Sequence, residues 1–259
     1  MSRLDVWLAE HGLAESREKA QALVMAGLVR VDGQTAAKPG TRVRAGSTVS
    51  VARGAGHVGR GALKLEGALE AFGVDPSGKV ALDVGASTGG FTETLLARGA
   101  HRVYAVDVGR GQLHERLRRD PRVLVRDRTN ARLLSPEVVP EPCGLAVMDV
   151  SFISVRLILP ALRTVLAPAA EAIVLVKPQF EVGREQVGRG GIVKEPALHL
   201  EALRQAAEAA QAAGYGVRGA CASPVAGASG NREFFLHLVP GARPLPDDEL
   251  LALVRKAVE

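Results

Sequence analysis

Cysteine is scarce: Cys143 and Cys221 are the only two in 259 residues. They stand far apart without metal-ligand spacing, which reads as buried thiols in a reducing compartment. Aromatic side chains make up 3% of the chain, too few for a platform on which single-stranded bases stack. No apolar run approaches the roughly 18 residues of a membrane span. The opening MSRLDVWLAEHG sets Arg3, Asp5 and Glu10 where a secretion leader needs an apolar stretch. The expectation is a cytoplasmic protein.

What is present suits one large domain, or a small domain beside a medium one. Hydrophobic residues account for 47% and charged residues for 24%, enough apolar material for a sizeable core. The net charge of +5 is unevenly spread. Residues 1–61 hold nine Lys and Arg against five Asp and Glu, and the remainder is nearly balanced. Positive charge gathered at one end suits contact with a polyanion, and equally a solubilising surface.

The Gly-rich stretch RGAGHVGRG, residues 53–61, lacks hydrophobic periodicity and reads as a linker. Before it, Leu4, Trp7 and Leu8, then Ala20, Leu23 and Val24, recur at helical spacing. Ser16 marks a helix start and Gly27 a helix end. Val29–Val31 alternates as a strand, Asp32-Gly33 signals a tight turn, and Val43 to Val51 resembles further short strands. The expected domains are 1–55, a linker at 56–61, and 62–259. In the last, strand-like runs at 80–84, 102–106, 123–125, 145–150, 172–176, 217–222 and 234–239 alternate with helical patterns, notably 90–98, 155–166 and 197–213. That alternation predicts an α/β fold with a doubly wound, mostly parallel sheet. A loop without a helix joins the last two strands, so they should form an antiparallel pair. Ligands in such sheets bind at the carboxyl ends of the strands.

The strongest local signal is LDVGASTGGFT, residues 82–92, a strand running through a Gly-rich turn into a helix. Three readings compete. A dinucleotide loop would need glycine where Ser87 stands. Gly85-Ala86-Ser87-Thr88-Gly89 fits a nucleophile elbow, yet no HGGG-like oxyanion segment accompanies it. An adenosylmethionine loop accounts best for Asp83 beside Gly85, Ser87, Gly89, Gly90 and Phe91, with carboxylates for the ammonium and hydroxyls and glycines leaving room for the methionine part. Asp107, some 20 residues on at the next strand end, can grip a ribose diol. Asp127, in RDRTN after the third strand, is either an acceptor for the adenine amino group or a helix cap. Further polar residues end apolar strands: Asp149 after LAVM, Lys177 after AIVLV, and Glu233 at the start of the last, reversed strand. Topology brings all three to one edge. Lys64, in GRGALKL, is a fourth candidate.

GRGALKL, DVGASTGGFT, AVDVGRGQL, DRTNAR, MDVSFIS, LVKPQFE and GNREFF together resemble the TlyA family. These are ribosomal-RNA 2′-O-methyltransferases, long named haemolysins, with a catalytic domain of the FtsJ type. RLDVWLAEHGLAESREKAQALVMAGLVRVDG resembles an S4 RNA-binding domain. The resemblance spans nearly the whole chain and departs at Asp127, where the family is expected to carry Glu. It implies a Rossmann-like methyltransferase fold behind a small α+β S4-like domain. It also implies S-adenosyl-L-methionine as cofactor, ribosomal RNA or ribosomal subunits as partner, and cytidine as target. A Lys-Asp-Lys-Glu tetrad falls on Lys64, Asp149, Lys177 and Glu233.

A ribose 2′-hydroxyl must lose its proton as it attacks, and a lysine can take it only in the neutral form. Two neighbouring ammonium groups, Lys177 and Lys64, would oppose each other's charge. The expected roles are Lys177 as base, Lys64 and Asp149 as positioning partners, and Glu233 orienting Lys177. No metal is required. The S4-like module would offer Arg3, Arg17, Lys19 and Arg30 to phosphates, which position RNA without reading its sequence. Folded RNA recognised by shape is the expected partner. The polar loop 178–196, with Arg184 and Arg189, is either a flap over substrate or a passive surface loop. The rival classes are a membrane-lytic protein, a non-catalytic RNA binder of methyltransferase fold, and a small-molecule methyltransferase. They are opposed respectively by the lack of a span or amphipathic basic helix, by the intact motifs, and by the S4-like module.

Overall fold

A computed structural model describes residues 2–14, 17–25, 29–36, 38–44, 46–51, 59, 61–227, 230–241 and 246–258. The chain divides into two compact units, Met1–Arg60 and Gly61–Glu259. Most of the expected linker, with Ser16 and Gly27, lies outside the described residues.

In the first unit, β1 (Ser2–Arg3) leads into α1 (Leu4–Glu10), followed by α2 (Arg17–Met25). Their apolar stripes meet: Leu4, Leu8, Ala20, Leu23 and Val24 are buried. β2 (Val29–Val31) and β3 (Gln34–Thr35) form a hairpin whose two-residue turn, Asp32-Gly33, has positive φ at both positions (52° and 82°). That is the twist a two-residue hairpin requires. β4 (Arg42–Val43) pairs with β1, and β5 (Val49–Val51) with the other side of β2.

The second unit opens with α3 (Gly61–Phe72), which buries Ala62, Leu65, Ala68 and Leu69 at helical spacing. Then come β6 (Val80–Val84), α4 (Gly90–Ala97), β7 (Arg102–Val106), α5 (Glu115–Arg118), β8 (Val123–Arg126) and β9 (Cys143–Met148). They are followed by α6 (Leu159–Arg163), β10 (Leu166–Val176), α7 (Pro178–Glu181), α8 (Pro196–Ala212), β11 (Tyr215–Ala222), β12 (Phe234–Pro240) and α9 (Asp247–Val258). The sheet order is β11-β12-β10-β9-β6-β7-β8. β10, β9, β6, β7 and β8 run parallel, while β12 is antiparallel to both β10 and β11. Runs such as VALDV and LAVM are nearly all apolar because helices cover both faces of a parallel sheet.

β6 has β7 on one side and β9 on the other, so the strand order reverses there and a crevice opens at the carboxyl edge. The register β10–β12 sets Val176 opposite Phe234, which brings Lys177 and Glu233 to that same edge. One expectation fails in part. Instead of a helix over 155–166, a 3₁₀ turn at Val155–Leu157 precedes the short α6, and β10 starts at Leu166. Pro160 is the cause: it has no N–H to donate and its ring would clash within a longer helix, so it sits at the start of a new one. Neither α3 nor α9 was foreseen. No helix among the described residues is long and apolar enough to cross a membrane.

Candidate active site

A cavity of about 580 Å³ opens where β6, β7, β8 and β9 end, lined among others by Gly85, Ser87, Asp107, Asn130, Asp149 and Phe152. A smaller one of about 100 Å³ shares Gly85, Ser87 and Asp149 with it and is also walled by Gly61, Gly90 and Phe91. The turn after β6 explains both. Gly85 (φ 84°) passes so close to β9 that a Cβ there would collide with the Asp149 carbonyl oxygen. Gly89 and Gly90 face protein: a Cβ on Gly89 would strike Leu117 and Leu113, and one on Gly90 would lie 2.8 Å from the Ala62 nitrogen. These two glycines let α4 start against α5 and α3.

Asp107 stands at the cavity wall with its carboxylate fixed by backbone donors. Ser87 N–H donates to Oδ2 at 2.8 Å and Gly109 N–H to Oδ1 at 2.7 Å. Each oxygen keeps a lone pair for a ligand hydroxyl. The other two expected acids are arranged differently. Asp83 is 0% exposed and lines neither cavity. Its Oδ2 accepts from Thr92 Oγ1 at 2.6 Å, while Oδ1 is buried without a hydrogen-bond partner. Burial pushes this carboxyl up to about 7 against the Thr92 hydrogen bond, with the Asp149 and Asp107 charges adding to the rise. Asp127 also lines neither cavity. It accepts from Gly111 N–H at 3.1 Å and Arg118 at 3.0 Å, which outweigh its partial burial and hold its carboxyl below the usual range. The cavity wall there is Thr129, Asn130 and Arg132.

The Asp83 arrangement has a consequence for stability. A group raised from about 3.9 in the unfolded chain to about 7 when folded favours the folded state fully below the lower value. That contribution is lost as pH rises through 7. Asp83→Asn should therefore be more stable than the parent above pH 7, on the order of 4 kcal/mol, with the gap closing towards pH 4. Urea unfolding of both proteins from pH 4 to pH 8 measures it; a gap independent of pH would contradict the buried-carboxyl account.

The remaining ionisable groups form two lysine–acid pairs at the same edge. Lys64, 7% exposed on α3, donates to Glu233 Oε2 at 2.5 Å. Lys177, 8% exposed at the end of β10, donates to Ser151 Oγ at 2.9 Å and lies 2.6 Å from Asp149 Oδ1, an ion pair outside hydrogen-bond angles. Glu233 thus partners Lys64, where the sequence reading had it orienting Lys177, and each lysine faces a carboxylate.

Three residues the sequence reading did not single out complete the site. Ser151 is the Lys177 acceptor. Phe152 is 91% exposed with φ 65°, its ring 5.2 Å from that of Phe180. Asn231, buried two positions before Glu233, accepts from Val193 N–H at 2.9 Å and donates to Gly191 O at 2.8 Å. It ties loop 178–196 to the turn leading into β12. The sole prior sign was a polar residue beside a strand end. Cys143 is buried as expected, whereas Cys221 is only half-buried; burial pushes the Cys143 thiol up to about 12 and the Cys221 thiol up to about 11.

In the first unit, Asp5 is buried between Arg3 (two contacts at 3.0 Å), Arg17 (3.1 Å) and Gln21 (2.8 Å). The Arg3 hydrogen bonds hold its carboxyl far below the usual range. Both guanidinium side chains remain about half exposed, and Arg30 is exposed on β2. The side chain of Lys19 lies outside the described residues.

The switch-point cavity, the glycine turn and the reversed last strand define a Rossmann-like methyltransferase. The fold recurs in a solved structure from Pyrococcus horikoshii at TM-score 0.50 and 18% identity, covering 71% of this chain and 84% of that one. Sequence comparison matches the FtsJ-like methyltransferase family over residues 57–239 and the S4 domain over residues 2–49. The chain belongs to the FtsJ-like methyltransferase family, in the TlyA group that joins this domain to S4. It is 50% identical to the 16S/23S rRNA (cytidine-2′-O)-methyltransferase TlyA of Mycobacterium tuberculosis, over 92% of this chain and 89% of that one. It is 37% identical to Hemolysin A of Brachyspira hyodysenteriae, over 92% and 99%. A solved structure from Streptococcus thermophilus, whose protein carries the name hemolysin, matches at TM-score 0.77 and 41% identity over 99% and 95%.

Proposed function

We propose that the chain transfers a methyl group from S-adenosylmethionine to the ribose 2′-hydroxyl of a cytidine in ribosomal RNA. The observation that carries this reading is the pair of lysine–acid contacts, Lys64–Glu233 and Lys177–Asp149, at the edge where the cavity opens. The cavity suits the cofactor: Asp107 keeps lone pairs for a ribose diol, and Gly85, with no Cβ, lets the turn after β6 pack against the Asp149 carbonyl and form the cavity wall. When bound, S-adenosylmethionine supplies a methyl group on a positively charged sulfur, an electrophile that needs no metal.

The chain's own residues hold the hydroxyl and take its proton. Lys177, once it has released its own proton to solvent, accepts that of the hydroxyl, and Asp149 stabilises the ammonium that results. Ser151 fixes the direction of the Lys177 side chain. Glu233 and Lys64 form a neutralised pair that positions the ribose without adding net charge. Most of the acceleration comes from alignment of the reacting atoms. Exposed Arg128 and Arg132 beside the cavity suit backbone phosphates, and the exposed Phe152 ring offers a face to a base. The S4 unit, with Arg3, Arg17 and Arg30 turned at least partly to solvent, supplies further phosphate contacts.

The reading is tested by incubating the protein with labelled S-adenosylmethionine and unmethylated ribosomal subunits; label remaining entirely in the small-molecule fraction would overturn it. Asp107→Ala should weaken cofactor binding about 10–100-fold, the loss of a charge-assisted pair of hydrogen bonds. Calorimetry on both proteins reads this directly, and unchanged affinity would mean that the ribose end lies elsewhere.

A further inference from the structure

The buried acid Glu181 has no part in the chemistry described above. It sits on α7, the single turn that follows Lys177, and is 4% exposed. Its carboxylate accepts from Ser154 Oγ at 2.5 Å through Oε2 and from the Val155 backbone N–H at 2.9 Å through Oε1. Arg156 adds a looser contact, with Nε 3.6 Å from Oε2, and its guanidinium donates to the Glu181 carbonyl at 3.3 Å. Burying a carboxylate is costly unless its hydrogen bonds are met, and here every partner belongs to one segment, residues 154–156.

That segment is the far end of the loop that leaves β9. The loop's near end is Asp149 and Ser151, the two groups that Lys177 touches. The loops after β9 and after β10 are therefore fastened together twice, by Lys177 at the sheet edge and by Glu181 one turn further on. Between the two fastenings lie Phe152 and Ile153, the former in a left-handed backbone conformation that a bulky residue adopts only when held. Residues 149–153 also form one wall of the larger cavity.

We infer that Glu181 is a positioning residue: by clamping Ser154 and Val155 it holds the 149–153 loop so that Asp149 and Ser151 meet Lys177. This rests on the methyltransferase reading of the site. Without the clamp, the loop loses its second anchor and the Lys177 acceptors move; misplacement of about 1 Å near reacting atoms costs up to 10²-fold in rate. A glutamine retains an oxygen for Val155 N–H, and its amide can bond Ser154 Oγ in place of one of the two Arg156 donors that the hydroxyl accepts, so it should preserve the clamp.

The test compares the parent, Glu181→Ala, Glu181→Gln and Ser154→Ala in full-length protein. Methylation of unmethylated subunits gives kcat, KM and the pH–rate profile, calorimetry gives S-adenosylmethionine affinity, and thermal unfolding gives stability. Glu181→Ala should lower kcat about tenfold or more, move the rising limb of the pH profile and weaken cofactor binding. Glu181→Gln should restore most of all three, and Ser154→Ala should fall between. A lowered Tm with kcat, pH limb and cofactor affinity all unchanged would reduce Glu181 to a structural role and overturn the inference. So would a glutamine variant as impaired as the alanine one. If Glu181→Ala does not fold, Ser154→Ala carries the test, and parental kcat and pH limb in that variant overturn it. Should the parent methylate no RNA, the substrate reading fails, yet the clamp is still read from cofactor affinity across the same variants.

Discussion

Lys177→Ala is expected to lower kcat by about 10²–10⁴-fold, the usual consequence of removing a general base, while cofactor affinity stays close to that of the parent. Lys177 lines neither cavity, so its loss removes no wall of the cofactor site. Lys177→Arg separates the two ways in which the residue could act. Arginine keeps a positive charge opposite Asp149 and a donor for Ser151, but it cannot be neutral near pH 7. If Lys177 accepts a proton, the arginine variant is as inactive as alanine. Single-turnover methylation of ribosomal subunits at saturating cofactor provides the comparison. An arginine variant with substantial turnover would end the assignment of a base and leave Lys177 as an electrostatic anchor.

The second large effect concerns the S4 unit. Deleting residues 1–58 should leave the cofactor site in being, since every element that lines it belongs to Gly61–Glu259. RNA binding should weaken sharply, because most of the +5 net charge leaves with the deleted segment. Each phosphate contact contributes about 0.9 to the slope of log affinity against log salt on a duplex. If Arg3, Arg17 and Arg30 each meet a phosphate, the slope should fall by about 2–3 on deletion. Binding of both proteins to ribosomal RNA across a salt series measures this, after calorimetry has established that the shortened chain still binds cofactor. Equal affinities and equal slopes would remove the S4 unit from RNA anchoring.

The parallel strands were legible because a strand buried on both faces must be apolar almost throughout, so a polar residue at its end stands out. Asp107, Asp149 and Lys177 were found in that way. Pairing was less legible. That Glu233 meets Lys64 depends on where α3 docks against a strand 169 positions away, and no local pattern encodes it. Asp127 followed the same strand-end rule as Asp107, but Arg118 and Gly111 N–H occupy its Oδ2, and that pairing has no local signal in the sequence. Asp83 marked the right turn, yet its burial beneath Thr92 is a packing outcome. Ser151, Phe152 and Glu181 carry no spacing signal, since a loop held by two distant anchors has no period. The 155–166 pattern misled because apolar periodicity outweighed Pro160.

The central claim, ribose methylation on ribosomal RNA, is tested most directly by locating the methyl group. Unmethylated subunits are treated with the protein and labelled S-adenosylmethionine, and the RNA is then hydrolysed in alkali. Cleavage by alkali requires a free 2′-hydroxyl, so a 2′-O-methylated cytidine survives in a labelled, uncleaved dinucleotide. The account predicts that the label appears there, and that Lys177→Ala abolishes it. Label recovered in mononucleotides would mean a methylated base, and would contradict the chemistry assigned to Lys177 and Asp149.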